Sequence, residues 1–295
     1  MPAPIALFAY NRPWHLEQVL EGLRRNPEAG ASDLHIYSDA PKDSLAVRAV
    51  EEVRRRIRQA GGFRSVSIVE QDANIGISRS VISGVSDLMQ RFGRAVVLED
   101  DLVPSPYFLR YMNDALDAYE HDARVVGVHA YSYPVKEPLP ETFFLRGADC
   151  WGWATWARGW QVFEPDGLRL LSELRAREIT REFDLDGDYP FTRMLEDQID
   201  GRNDSWAVRW HASAFLRGLL TLYPGCSQVQ NIGADGSGSN VGRTREFQHE
   251  SWGGPVNVGG IALEESLASR RAFGHYLRNA GRSLPRRLLA RVLGG

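Results

Sequence analysis

Two cysteines, Cys150 and Cys226, are all that 295 residues contain. That is too few for a disulfide framework and suits a reducing compartment. No apolar run approaches the roughly 20 residues that cross a bilayer, and Met1-Pro2-Ala3-Pro4 has neither the basic nor the apolar stretch of a secretory signal. The expected location is therefore cytoplasmic. Charge of one sign is also lacking: 35 Lys and Arg face 38 Asp and Glu, for a net −3, so no nucleic-acid partner is expected. No repeat of 20–50 residues, long linker, Walker A loop, GxSxG elbow or HxxxH pair occurs.

What is present is ordinary globular material, 43% apolar and 25% charged, with 10% aromatic residues. The first 130 residues alternate short apolar runs with helical patterns. Strands are expected at 5–10, 34–38, 66–69 and 95–98, and helices at 14–25, 44–58 and 78–92. This rhythm predicts an α/β fold, a mostly parallel sheet with helices on both faces. Ligands of such sheets gather at the carboxyl ends of the strands. There the chain places Asn11-Arg12, Asp39, Gln71-Asp72 and Glu99-Asp100-Asp101. Beyond residue 125 the pattern turns to short strands, a segment Cys150–Trp160 carrying four tryptophans, a helix over 204–219 and a strand over 223–232. One unit over 1–265 is expected, with a nucleotide-binding half (1–130) and an acceptor-binding half (131–265), followed by a basic tail, 266–295.

Three sets of residues carry chemistry. Glu99, Asp100 and Asp101 end the most apolar strand, where mutually repelling, desolvated carboxylates call for a cation or donors. Hard oxygen ligands of this kind suit Mg²⁺ or Mn²⁺ beside a diphosphate; the alternative is an acidic helix approach. Asn74-Ile75-Gly76-Ile77-Ser78-Arg79 offers a helix N-terminus to an anion, or is a plain loop with Ser78 as the helix cap. Arg12 is an anion ligand or a surface cation. The third set, Glu196-Asp197 and Asp204-Ser205-Trp206, supplies a carboxylate at a helix start. Asp204 there is a general base for a hydroxyl, a helix N-cap, or both. Trp153, beside Gly152 in an expected loop, and Trp206 are the aromatic candidates for a sugar ring, while at least two of the clustered tryptophans should be core.

With these motifs in order, residues 4–242 resemble GT-A glycosyltransferases, in particular inverting family-2 enzymes and the relatives of N-acetylglucosaminyltransferase I. The resemblance rests on Ala9-Tyr10-Asn11-Arg12-Pro13, Ser38-Asp39, the 74–79 loop and Val97–Leu102 with Ser105–Leu109. It continues through Gly152-Trp153, Asp204-Ser205-Trp206 and Asn231-Ile232-Gly233. It implies a UDP-favouring nucleotide-sugar donor contacted by Arg12, Asp39, Asn74, Gly76, Arg79, Glu99 and Asp100. It implies Mn²⁺ or Mg²⁺ on Asp101, Asp204 as catalytic base, and a glycan or lipid-linked acceptor, as in polysaccharide biosynthesis. The family often carries a histidine where this chain has Asn240, and an aromatic where it has Asn203.

The tail holds Arg270, Arg271, Arg278, Arg282, Arg286, Arg287 and Arg291 and no acid, so the rest of the chain is decidedly acidic. Residues 283–295 are expected as a basic amphipathic helix, set on an anionic inner membrane surface or docked on the body or a second subunit. Two rival functions stand beside transfer. A sugar-1-phosphate nucleotidyltransferase would want a glycine-rich basic loop near the N-terminus, which residues 9–13 lack. A non-catalytic carbohydrate-binding protein would use the tryptophans but leave the acidic triplet unexplained.

Overall fold

A computed structural model describes residues 1–236, 244, 246–248 and 253–283. In chain order the elements are β1 (Ile5–Ala9), α1 (Pro13–Arg24), β2 (Asp33–Ser38), α2 (Val47–Ile57), β3 (Ser65–Glu70), α3 (Gly76–Phe92) and β4 (Arg94–Glu99). There follow β5 (Leu102–Pro104), α4 (Phe108–Ala118), β6 (Val125–His129), β7 (Thr142–Arg146), β8 (Trp153–Trp156) and α5 (Ala157–Trp160). The chain continues through α6 (Gly167–Ala176), α7 (Thr180–Phe183), α8 (Phe191–Ile199), α9 (Trp206–Leu216), β9 (Leu220–Pro224), β10 (Val229–Asn231) and α10 (Leu267–Ser283).

Eight strands form one sheet in the order β3-β2-β1-β4-β8-β6-β9-β7. The β3, β2, β1 and β4 pairings are parallel, as is β6 with β9; β8 runs against both neighbours and β7 against β9. The class is α/β, as the alternating pattern predicts. Every residue of β1, and the central four of β4, is buried, so both faces are covered, which is why these strands read as unbroken apolar runs. β5 and β10 form a separate antiparallel ribbon that lays the segment after β10 beside the end of β4.

Local chemistry sets the boundaries. Pro13 starts α1, where its missing N–H is no loss. Gly93, at φ +75°, closes α3 with its N–H on the Met89 carbonyl. Three expectations are corrected. Trp153 is not in a loop: it opens β8, and Trp151, Trp153, Trp156 and Trp160 are all buried. The strand expected over 223–232 is two strands in different sheets, broken at Gly225, where a Cβ would lie 2.1 Å from the Pro140 carbonyl oxygen. The break at 265/266 does not separate a tail from the body, since Phe273 and Leu277 of α10 belong to the core and Arg270 pairs with Asp186 and Glu265. Asn240 and residues 284–295 lie outside the described residues. No described helix is long and apolar enough to cross a membrane.

Candidate active site at the carboxyl edge of the sheet

The carboxyl ends of β1, β2 and β4 lie side by side because these strands pair in parallel, with Phe8 opposite Glu99 and Ala9 opposite Ser38. The Asp39 N–H donates to the Ala9 carbonyl at 3.1 Å and continues the ladder past the strands. Everything the sequence placed after a strand therefore faces one edge.

At the end of β4, Asp100 is 3% exposed and accepts from the Tyr10 N–H at 3.1 Å. Arg12 reaches across from the end of β1. One terminal nitrogen donates to Asp101 at 2.9 Å and the other to Asp100. Burial works against the Arg12 charge, but Asp100 and Asp101 outweigh it and hold the guanidinium ionised. Burial pushes the Glu99 carboxyl up to about 8, reinforced by the Asp101 charge. Asp100 is likewise raised by burial, against the pull of Arg12. Gly233 closes the cluster: a Cβ there would stand 2.1 Å from the Asp101 carboxylate and 3.1 Å from Arg12. The Ile232 N–H donates to the Asp101 carbonyl at 2.9 Å and fixes that approach. Among the described residues no three His, Cys, Asp or Glu side chains converge as a metal cage. A divalent ion shared with substrate phosphates needs only one or two protein carboxylates, and Asp101 fits that requirement.

Asp39, expected as a donor contact, is bonded to the protein's own backbone. Its carboxylate accepts from the N–H groups of Ala40, Ile75 and Gly76 at 2.8, 3.0 and 2.8 Å and from the Asn74 amide at 3.1 Å. Those four donors fill the roughly four acceptor positions of a carboxylate. The N-terminus of α3, expected to take a ligand anion, already holds this one. Asp39, Asn74 and Gly76 thus form one clamp joining β2 to α3, whereas Arg79 is exposed on the first turn of α3. Ser78 does not cap α3; its hydroxyl accepts from Arg209 of α9 at 2.9 Å.

That bond ties the start of α9 to the same edge. The N-cap of α9 is Ser205, accepting from the Val208 N–H at 3.1 Å, not Asp204. Freed from capping, the Asp204 side chain is 69% exposed and lies 3.7 Å from Arg209. Trp206 does not meet solvent. It is fully buried against Trp153, with ring centroids 5.4 Å apart, and Trp153 pairs with Val97, two residues before Glu99. These two buried tryptophans fill the core, not a surface for a sugar, and their contact links α9 to β8 and through it to β4. Asp197 and Glu196, the rest of that acidic set, pair with Arg193, Arg202 and Arg175 on the surface.

Three further side chains near this edge were not among the sequence candidates. Arg209, 7% exposed, supports the Asp204 turn through the Ser205 and Pro165 carbonyls. His15 lies 3.1 Å from Asp235, two residues beyond Gly233. Between Arg12 and His15 stands Trp14, 58% exposed. Arg12-Pro13-Trp14 directly after the first strand is the local pattern that could have singled out Trp14.

No protein-family model matches the chain, and no curated protein matches it in sequence. Solved structures do resemble it over part of its length. A mannosyltransferase from Pyrobaculum calidifontis, in complex with GDP-Man and Mn²⁺, is 14% identical over 45% of this chain and 37% of its own, at TM-score 0.34. TarS from S. aureus is 10% identical over 52% of this chain and 28% of its own, at TM-score 0.33. Glucosyl-3-phosphoglycerate synthase from Mycobacterium tuberculosis, in complex with Mn²⁺, UDP and glucosyl-3-phosphoglycerate, is 12% identical over 60% of this chain and 67% of its own, at TM-score 0.36. The matched part is thus about a third of the first two structures' length.

Proposed function

We propose that the chain is an inverting, metal-dependent glycosyltransferase. It moves a sugar from a nucleotide-sugar, UDP-sugars favoured, to a hydroxyl of a glycan or lipid-linked acceptor. The observation that carries this reading is the cluster at the end of β4: an acidic triplet bound to Arg12 from β1 and closed by Gly233. A buried charge network at the carboxyl edge of an α/β sheet is costly unless it serves a ligand.

Asp101 would hold Mn²⁺ or Mg²⁺, with Asp100 and Glu99 behind it. When bound, the ion neutralises charge on the leaving nucleoside diphosphate. Arg12 supplies a second positive charge to the same phosphates. Asp204, exposed and released from capping, takes the proton of the acceptor hydroxyl as its oxygen bonds to the anomeric carbon. The bond from that carbon to the phosphate oxygen breaks, its electron pair leaves with the diphosphate, and a single displacement inverts the carbon. Asp39, Asn74 and Gly76 hold the edge in shape. Trp14, exposed and two residues after Arg12, takes the aromatic role expected of Trp153 and Trp206, as the ring on which an acceptor sugar stacks. A carbohydrate-binding protein without catalysis loses its support, because six of the eight tryptophans are buried.

The test is release of nucleoside diphosphate from UDP-, GDP- and dTDP-sugars with Mn²⁺ or Mg²⁺. Slow hydrolysis of the UDP-sugar, stopped by a chelator, is expected; no release from any donor overturns the reading. Contact of 283–295 with anionic membranes and a homodimer belong to the same proposal. Flotation on anionic vesicles with and without 283–295 tests the first, and sedimentation the second.

A further inference from the structure

We infer that Arg12 is a resident counter-cation that keeps divalent metal off Asp101 until a nucleoside diphosphate draws the guanidinium away. Metal and nucleotide then bind as a coupled pair instead of in either order. The inference rests on the transferase reading for the identity of the nucleotide, but its metal arm does not.

Three observations carry it. First, Arg12 spends both terminal nitrogens on the triplet, one on Asp100 and one on Asp101 at 2.9 Å. It therefore occupies one oxygen of the carboxylate through which Asp101 would meet a cation. Second, the exchange site is confined. Asp100 is held from behind by the Tyr10 N–H. The backbone at Gly233 stands so near that a single added carbon would collide with the Asp101 carboxylate and crowd Arg12. A guanidinium and a hydrated divalent ion do not share that space. Third, the side chains of Arg12 and Asp101 keep 17% and 16% of their surface in solvent while Asp100 keeps 4%. The pair thus keeps a partial opening to solvent, from which a phosphate can arrive.

The physical logic follows from the donor set. A guanidinium is a planar fork that matches carboxylate and phosphate oxygens equally well. A metal approaching alone must displace it and leave it without an acceptor, at the cost of a charged donor partly out of water. A diphosphate supplies the replacement acceptor, so Arg12 turns from the carboxylates to the phosphates and the metal takes Asp101. By linkage, each ligand must then raise the affinity of the other by the same factor.

The experiment measures Mn²⁺ binding to the full chain by calorimetry and by loss of the free-ion electron paramagnetic resonance signal. It is run with and without UDP, on the wild type and on Arg12→Gln and Arg12→Lys. Expected for the wild type is weak Mn²⁺ binding alone, tightened on the order of tenfold by UDP. Arg12→Gln vacates the carboxylates, so Mn²⁺ alone binds about tenfold tighter while the gain from UDP shrinks. Arg12→Lys, one point charge in place of a fork, falls between. Mn²⁺ affinity of Arg12→Gln equal to or below that of the wild type overturns the inference, provided its thermal midpoint shows a folded protein. If Arg12→Gln is unfolded, Arg12→Lys with unchanged or weaker Mn²⁺ affinity overturns it instead. Because these arms use Mn²⁺ alone, their failure is distinct from a failure of any nucleotide-sugar to react.

Discussion

The end of β4 and the start of α9 bring carboxylates to the same edge of the sheet, in opposite settings. Asp100 is 3% exposed and, with Asp101, is clasped by Arg12. The Asp204 side chain is 69% exposed and has Arg209 at 3.7 Å. Under the proposed function the difference is one of task. Carboxylates that hold a cation gain from burial and neighbouring charge, since both strengthen the field at one point. A carboxylate that must accept a proton from an incoming hydroxyl has to be reachable and not already saturated with donors. β4 is buried because both its faces are covered, and Asp204 is spared capping because Ser205 caps α9.

The contrast can be broken at either end. Asp204→Asn should lower kcat by about 10²–10⁴-fold, with UDP affinity within twofold of the wild type by calorimetry. A variant that transfers at near wild-type rate removes Asp204 from catalysis. Asp101→Ala should weaken Mn²⁺-dependent UDP binding by on the order of a hundredfold and leave metal-free binding nearly unchanged, the reverse signature. Unaltered affinity with Mn²⁺ would refute that role. Gly233→Ala sharpens the same end without touching a charge. The new methyl meets the Asp101 carboxylate, so roughly tenfold weaker metal-dependent binding, a loss of about 1.4 kcal/mol, should accompany a thermal midpoint close to wild type. Trp14→Ala should have the smallest effect: KM for the acceptor raised a few-fold, as loss of about 1 kcal/mol of stacking predicts, with kcat and donor binding preserved. Trp14→Phe should recover most of it.

The front of the chain was legible because β1, β2 and β4 are buried on both faces. Ile5–Ala9 and Ala95–Leu98 are continuous apolar runs, and the polar residue after each one had a single edge to face. The back was harder to read. β8 is four residues long and runs antiparallel between β4 and β6, strands that are far from it in sequence, so no local period announced it. Its tryptophans look the same in sequence whether they greet a sugar or fill a core. Only the register of Trp153 against Val97 and the contact with Trp206 decide for the core. Asp39 was found by its position after β2, yet its occupation by the amides of α3 depends on two elements meeting.

By itself the sequence determined the α/β class, the carboxyl edge as the place for chemistry, and the acids and arginine that stand there, because burial periodicity and strand ends are local properties. Tertiary structure decided which charges meet. Arg12 and Asp101 are 89 residues apart along the chain, as are no two groups that a local pattern can relate. Their pairing, the glycine that closes on them and the exposure of Asp204 exist only once the parallel strands align and the β5–β10 ribbon folds back across their ends.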